Sequence, residues 1–317
     1  GCYKMKDLFN HQSSDNVLTI TPNFNPAVLN FPELTPITDF KAVPSPVYMG
    51  DHSGAGFERI SNQKVIRRDD TGEALGIVGN RYGIAQNAGL YNMLTKAATE
   101  TLPANATRDC ELKEVSSHSG AYTRFELAFP HMPTTIRQRN GETELKFRVG
   151  ISNTFDGNGS VRVFAGAYDL VCENGLTIGE VTKTYSRHTK GYTPEVFADF
   201  IRHEMAEYLT RSRQFQKWAD SEITPDQAEN VLKLSGLSER RVNSLMDQFH
   251  TETINRGPSI WSLFSALTFY SSHNSERFAV RNAANSDNVG VTLEQREREV
   301  TKITSGNAWT ELEAIAA

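Results

Sequence analysis

Apolar residues at Leu90, Met93, Leu94, Ala97 and Ala98 recur three and four positions apart, the spacing of one helix face, and Pro103 marks the end of the run. On either side of this helix the pattern is that of strands. Lys64 to Arg68 and Ala74 to Val78 are short β-branched runs separated by Asp69-Asp70-Thr71-Gly72, residues suited to a hairpin turn, and a second turn is expected at Gly79-Asn80-Arg81. Further strands are expected at Glu111 to Ser116, Tyr122 to Ala128, Thr143 to Ser152, Ser160 to Ala167 and Asp169 to Val171. Their turns fall at Asn140-Gly141, Asp156-Gly157-Asn158-Gly159 and Glu173-Asn174-Gly175. Such short turns imply an antiparallel meander, because parallel neighbours need crossovers of about a dozen residues or more.

Past Tyr192 the period becomes helical. Thr193-Pro194-Glu195 and Thr224-Pro225-Asp226-Gln227 each place a capping residue before a proline at the first helical position, and Gln227 completes a capping box. Phe197, Phe200, Ile201, Met205, Tyr208 and Leu209 form the apolar stripe of the first of these helices. Gly236 separates Ala228 to Leu234 from Glu239 to Phe249, Ile260 to Tyr270 makes another helical run, and Gly290 to Ala317 reads as charged helix. The first 46 residues hold Pro22, Pro26, Pro32, Pro36, Pro44 and Pro46 with no sustained period, and are expected to form an extended arm that straps the chain's own core. The expected fold is α+β: an antiparallel β-meander with a packed helix in the N-terminal half, then a mainly α-helical C-terminal half. The expected divisions are an arm at 1–46, an α+β domain at 47–191 and a helical region at 192–317.

At 317 residues the chain is long enough for about two domains, and 38% hydrophobic with 22% charged residues excludes a disordered, collagen-like or coiled-coil protein. No run approaches the roughly 18 apolar residues of a membrane span, and no basic-then-apolar leader precedes a cleavage site, so a soluble, non-secreted protein with no membrane partner is expected. Cys2, Cys110 and Cys172 form no Cys-x-x-Cys pair, which argues against a disulfide framework or zinc ribbon and fits a reducing cytoplasm. With 33 basic and 38 acidic residues the net charge is −5, so any polyanion must be met by a local patch.

Several motifs are incomplete. Asp156-Gly-Asn158-Gly-Ser160 opens like a calcium loop, but Val161 stands where that loop needs glycine and Ala167 where it needs glutamate. The glycine-rich stretch from Gly50 to Gly56 lacks the lysine and hydroxyl residue of a phosphate loop, and is expected to be a mobile loop. His203-Glu204 lacks the second histidine, its place being taken by Glu207. In Ser117-His118-Ser119, strand neighbours point to opposite faces and cannot form a nucleophile–base pair. Asp69, Asp70 and Glu73 are a possible Mg²⁺ group, but adjacent acids in a turn more often serve the turn. No cofactor or metal is expected.

The basic residues are less evenly spread. Between Lys183 and Lys217 seven lysines and arginines face four acids, and Arg187, His188 and Lys190 lie beside Tyr185 and Tyr192, the pairing of cations and stacking surfaces used by single-strand grooves. Arg137, Arg139, Lys146 and Arg148, on and beside the Asn140-Gly141 hairpin, extend that candidate surface. The competing view is a solvated helix face and a basic hairpin tip. Leu232 to Phe249 also has the outline of a helix-turn-helix, with Arg240, Arg241 and Asn243 on its second helix.

Val65-Ile-Arg-Arg-Asp-Asp-Thr-Gly72, Leu75-Gly-Ile-Val-Gly-Asn-Arg-Tyr82 and Gln86-Asn87 resemble the opening signature of the phage/plasmid-like proteins grouped as domain-of-unknown-function family 932. Ser152-Asn-Thr-Phe-Asp-Gly157, the block from Arg162 to Leu176, and Trp261 to Tyr270 with His273 resemble its later motifs in order. The sequence departs from them at Asn153-Thr154, Glu173 and Ser265. The resemblance implies a phage, prophage or plasmid product of the bacterial cytoplasm. On that basis the expected function is a non-enzymatic accessory of DNA metabolism or recombination. It would bind single-stranded DNA in the manner of strand-annealing proteins, as a homo-oligomer. Phosphate contacts are assigned to Arg137, Arg139, Lys146, Arg148, Arg187 and Lys190, and base stacking to Tyr185 and Tyr192. The alternatives are a self-assembling or host-interaction protein with no nucleic acid ligand, and a metal-dependent enzyme built around Asp69, Asp70 and Glu73 or the Asp156 turn.

Overall fold

A computed structural model describes residues 17–18, 31–50, 56–159, 161–169, 175–177, 194–281 and 289–316. The strands are β1 (Val17–Leu18), β2 (Ala42–Gly50), β3 (Phe57–Arg68), β4 (Ala74–Gly79), β5 (Ile84–Ala85), β6 (Glu111–Ser116), β7 (Tyr122–Gln138), β8 (Gly141–Thr154), β9 (Arg162–Asp169) and β10 (Gly175–Thr177). The helices are α1 (Asn87–Thr101), α2 (Pro194–Asp220), α3 (Pro225–Leu234), α4 (Glu239–Arg256), α5 (Ile260–Arg281), α6 (Val289–Thr304) and α7 (Asn307–Ala316). The fold is α+β, strand-rich in its N-terminal half and helical in its C-terminal half. No helix among the described residues is long and apolar enough to cross a membrane.

The strands form a five-stranded sheet in the order β10-β9-β8-β7-β6, a three-stranded sheet β2-β3-β4, and a short parallel pair β1-β5. Strands β2, β3 and β7 exceed what the sequence pattern indicates, β3 beginning at Phe57 and not at Lys64, and proline explains β2 and the end of β7. Pro44 and Pro46 lie in β2, an edge strand that pairs with β3 from Ala42↔Arg68 to Gly50↔Phe57, and an edge tolerates residues that cannot donate to a ladder. Strand β7 runs ten residues past the expected end at Ala128, through Pro130 and Pro133, to Gln138. Its neighbour β6 has six residues against its seventeen, so the C-terminal part of β7 is itself an edge.

The described residues form two compact units. The first takes those within 1–127, 149–164 and 182–202, the second those within 128–148, 165–181 and 203–317, so that β7, β8, β9 and α2 contribute segments to both. In the first unit Leu90, Met93, Leu94, Ala97 and Ala98 of α1 are fully buried, and removing each of the three larger side chains from water is worth about 1.5–3 kcal/mol. Phe40, Ala42, Ile66, Leu75, Val78, Ile84 and Phe155 form an adjoining apolar cluster. The polar start of α1 is buried too. The Gln86 amide pairs with both backbone groups of Ala42, and Asn87 donates to the Thr38 carbonyl while accepting from Thr123 Oγ1 and Asn153 Nδ2. Residues 31–41 are held over this unit by such bonds, including one from the Tyr91 hydroxyl to the Pro32 carbonyl.

The second unit is built on aromatic packing. Phe215 and Trp218 of α2 meet Phe264 of α5, Trp261 lies against Phe215, and Trp309 of α7 makes an edge contact with Trp218. Phe147 of β8 stacks on Phe129 of β7 and touches Tyr208 of α2. The capping box at the start of α3 is formed as its sequence indicates, Thr224 Oγ1 accepting from the Gln227 N–H and the Gln227 side chain from the Thr224 N–H.

Candidate nucleic-acid interface

The β7–β8 hairpin turns at Arg139-Asn140-Gly141, and Gly141 adopts φ +146°, open to glycine because it has no Cβ. Side chains alternate along β7, so Ile136 points inward, Gln138 is half-buried, and Arg137 and Arg139 point to solvent. At Arg137 the edge left open by β6 is met by a side chain. Gln216 of α2 accepts from the Arg137 N–H and donates to the Arg137 carbonyl, both at 2.9 Å, as a neighbouring strand would.

Beneath the tip lies a buried polar knot. Arg256, at the end of α4, donates to Glu252 Oε2 at 2.8 Å and to Thr143 Oγ1 at 2.5 Å, and Gln138 donates to Thr143 at 2.7 Å. Asn140 Nδ2 reaches the Ile254 carbonyl at 3.1 Å. Residues 221–223 and 258–260 are joined by the Glu222↔Ser259 bridge and by bonds from Ile223 N to Pro258 O and from Ile260 N to Ser221 O, both 3.1 Å. Between these parts is an open cleft of about 280 Å³, lined by Arg137, Arg139, Asp220, Glu222, Arg256 and Ser259 among others.

The charges of this cleft differ in availability. Arg256 is 3% exposed and held by Glu252, so its role is structural. Arg139 and Glu222 pair at 3.2 Å but are 64% and 68% exposed, and an ion pair that wet is worth at most about 1 kcal/mol. A phosphate can displace Glu222 from it. The Arg137 guanidinium is exposed and has no partner among the described residues.

The structure therefore brings together two of the expected phosphate contacts, Arg137 and Arg139. Lys146 is half-buried on β8 and does not line the cleft. Arg148 is buried and faces Glu297 of α6 at 3.8 Å, which leaves it no access to a phosphate. Tyr185, Arg187, Lys190 and Tyr192 lie outside the described residues. Gln216 and Arg256 carry no motif that marks them. The one hint in the sequence is that Arg256 follows Glu252 by four positions and directly precedes Gly257-Pro258.

The other candidate groups are absorbed by local structure. Asp70 accepts both Arg68 Nε and Nη2, at 2.8 and 2.7 Å, and Asp69 accepts the Lys41 N–H at 3.1 Å. The Arg68 fork, with the Thr71 N–H, holds the Asp70 carboxyl well below the usual range, at about 2. Asp156 accepts from the Asn158 N–H at 2.9 Å in a tight turn that Gly157 completes at φ +80°. Ser117 and Ser119 accept the N–H groups of Tyr122 and Ala121 in the β6–β7 turn. His203 is exposed while Glu204 is buried. Among the described residues no three His, Cys, Asp or Glu side chains converge on a point where a metal could sit. In the expected helix-turn-helix, Arg241 is tied to Glu299 at 2.6 Å.

The fold and site define an α+β protein that presents two arginines on a hairpin tip braced by helices. The family model described as Domain of unknown function (DUF932) matches residues 74–302, and the chain belongs to that family. No curated protein and no solved structure gives a significant match. Gln86-Asn87 and Asn153, all within the matched span, are residues of the buried network at the start of α1.

Proposed function

We propose that this protein binds single-stranded DNA without catalysing a reaction on it, as an annealing-type accessory of phage or mobile-element DNA metabolism in the bacterial cytoplasm. The reading rests above all on Arg137 and Arg139, two exposed cations at a hairpin tip, one unpartnered among the described residues and one in a weak exposed pair, beside an open cleft. Phosphate contacts of this kind supply affinity and register without sequence preference. The cleft volume of about 280 Å³ falls at the low end of small-molecule pockets, roughly 300–1,000 Å³, so a strand would cross it and would not be enclosed.

Fluorescence anisotropy of labelled single-stranded and duplex oligonucleotides at several salt concentrations tests this. Micromolar or tighter binding that prefers the single strand and weakens with salt supports it; no binding to either at low salt rejects it. Self-assembly is the second reading, favoured by Leu234 and Ile315, 63% and 69% exposed on α3 and α7, two helices that pack together. Light scattering over a range of concentrations without DNA tests it, and a constant monomer mass rejects it.

A further inference from the structure

The distal part of the β2–β3 hairpin carries an unusual surface for an edge sheet. Phe57 is 83% exposed, Tyr48 56% and Met49 54%. The register is Val47↔Ile60, Tyr48↔Arg59, Met49↔Glu58 and Gly50↔Phe57. Paired residues of an antiparallel ladder share a face and successive ones alternate, so Tyr48, Phe57 and Arg59 lie on one face and Val47, Met49, Glu58 and Ile60 on the other. One face is aromatic and cationic, the other aliphatic with an acid.

We propose that the Tyr48–Phe57–Arg59 face of this hairpin is a stacking platform for the bases of single-stranded nucleic acid, with Arg59 meeting a phosphate. The inference rests on the single-strand reading above but concerns different residues, all in the first unit. Two exposed rings on one face offer π-surfaces that every base can meet without sequence readout. Arg59 is directly opposite Tyr48 and two positions from Phe57 along β3, and its guanidinium has no partner among the described residues. The only acid on the two paired segments, Glu58, points to the other face, so the platform is positive where an anionic, planar ligand would lie. Rings this exposed contribute little to folding, which leaves them available to a ligand.

The test uses the full chain and a fluorescein-labelled oligothymidylate. Tyr48→Ala with Phe57→Ala should weaken binding by about tenfold or more, as stacking contacts do, with the melting temperature and the salt slope unchanged. Arg59→Ala should instead flatten the slope. Phe57→Trp should retain affinity and add a tryptophan signal that the unlabelled oligonucleotide quenches. If the wild-type protein binds the strand and the double alanine variant binds equally tightly, the platform is overturned while the Arg137 and Arg139 reading stands. If the wild-type protein does not bind, both fall. If the double variant changes the solution mass of the protein, the face is an interface between copies and the proposal is overturned.

Discussion

The Asn153 side-chain amide on β8 donates to Asn87 Oδ1 at the start of α1 at 2.9 Å, and to the Ala85 carbonyl at the same distance. Asn87 in turn accepts from Thr123 and donates to the Thr38 carbonyl at 2.9 Å, so two residues join the strap, the strands β5, β7 and β8, and the helix through fully buried bonds. Replacing Asn87 with alanine strands the Thr38 carbonyl and the Thr123 hydroxyl in an apolar setting. At about 1–3 kcal/mol per stranded group, Asn87→Ala is expected to lose about 2–6 kcal/mol, while Asn158→Ala in the exposed turn stays within about 0.5 kcal/mol. Urea midpoints of the two variants check this; equal midpoints would show the network to be energetically idle.

At α3 the cap is open to solvent and separable from packing. Thr224→Ala should cost about 0.5–2 kcal/mol and Thr224→Ser almost nothing, because serine keeps the acceptor for the Gln227 N–H. Thermal melts of the three proteins distinguish a capping role from a merely steric one.

Gly257 couples the end of α4 to the hairpin tip. It adopts φ +82°, and a Cβ there would lie 2.9 Å from Arg139 Cβ. Gly257→Ala should therefore cost about 1–3 kcal/mol in backbone strain and also push the Arg139 side chain from its place. The expected result is a lower melting temperature together with weaker oligonucleotide binding, whereas a surface change such as Lys233→Ala should alter neither.

The Arg68–Asp70 fork sets a pH dependence. The folded Asp70 carboxyl is held down to about 2, below its ordinary 3.8, so its stabilising effect is complete above about pH 4 and is lost as pH falls toward 2. The advantage of the wild-type protein over Asp70→Asn should shrink across that window and stay constant at higher pH. Melting temperatures measured from about pH 6 down to about pH 2 read the difference, and a gap unaffected by acid would contradict the assignment.

How much of this was legible in the sequence differs by element. Helix α1 was, because Leu90, Met93, Leu94, Ala97 and Ala98 face one core and their period survives in the chain. The capping box of α3 was also, since it depends on four consecutive residues. Strand β2 and the second half of β7 were not, because their prolines read as breakers until the sheet order makes them edges. At the site, the turn at Asn140-Gly141 flagged Arg137 and Arg139 correctly as tip residues, while Arg148 looked equivalent. Only the packing of α6 sets Glu297 opposite Arg148 and takes it from solvent. Gln216 is separated from Arg137 by 79 positions, and no local pattern marks a side chain that completes a distant strand edge. Tyr48 and Phe57 share no local pattern, because their common face exists only once the register joins them.

The measurement that bears most directly on the central claim is the salt dependence of oligothymidylate binding by the wild-type protein and by the Arg137→Ala, Arg139→Ala double variant. Each phosphate contact on a single strand contributes about 0.7 to the slope of log affinity against log salt, so the double variant should bind more weakly with a slope shallower by about 1.4. An unchanged slope and affinity in a variant that melts at the wild-type temperature would contradict the account, and would remove the hairpin tip from any nucleic-acid site.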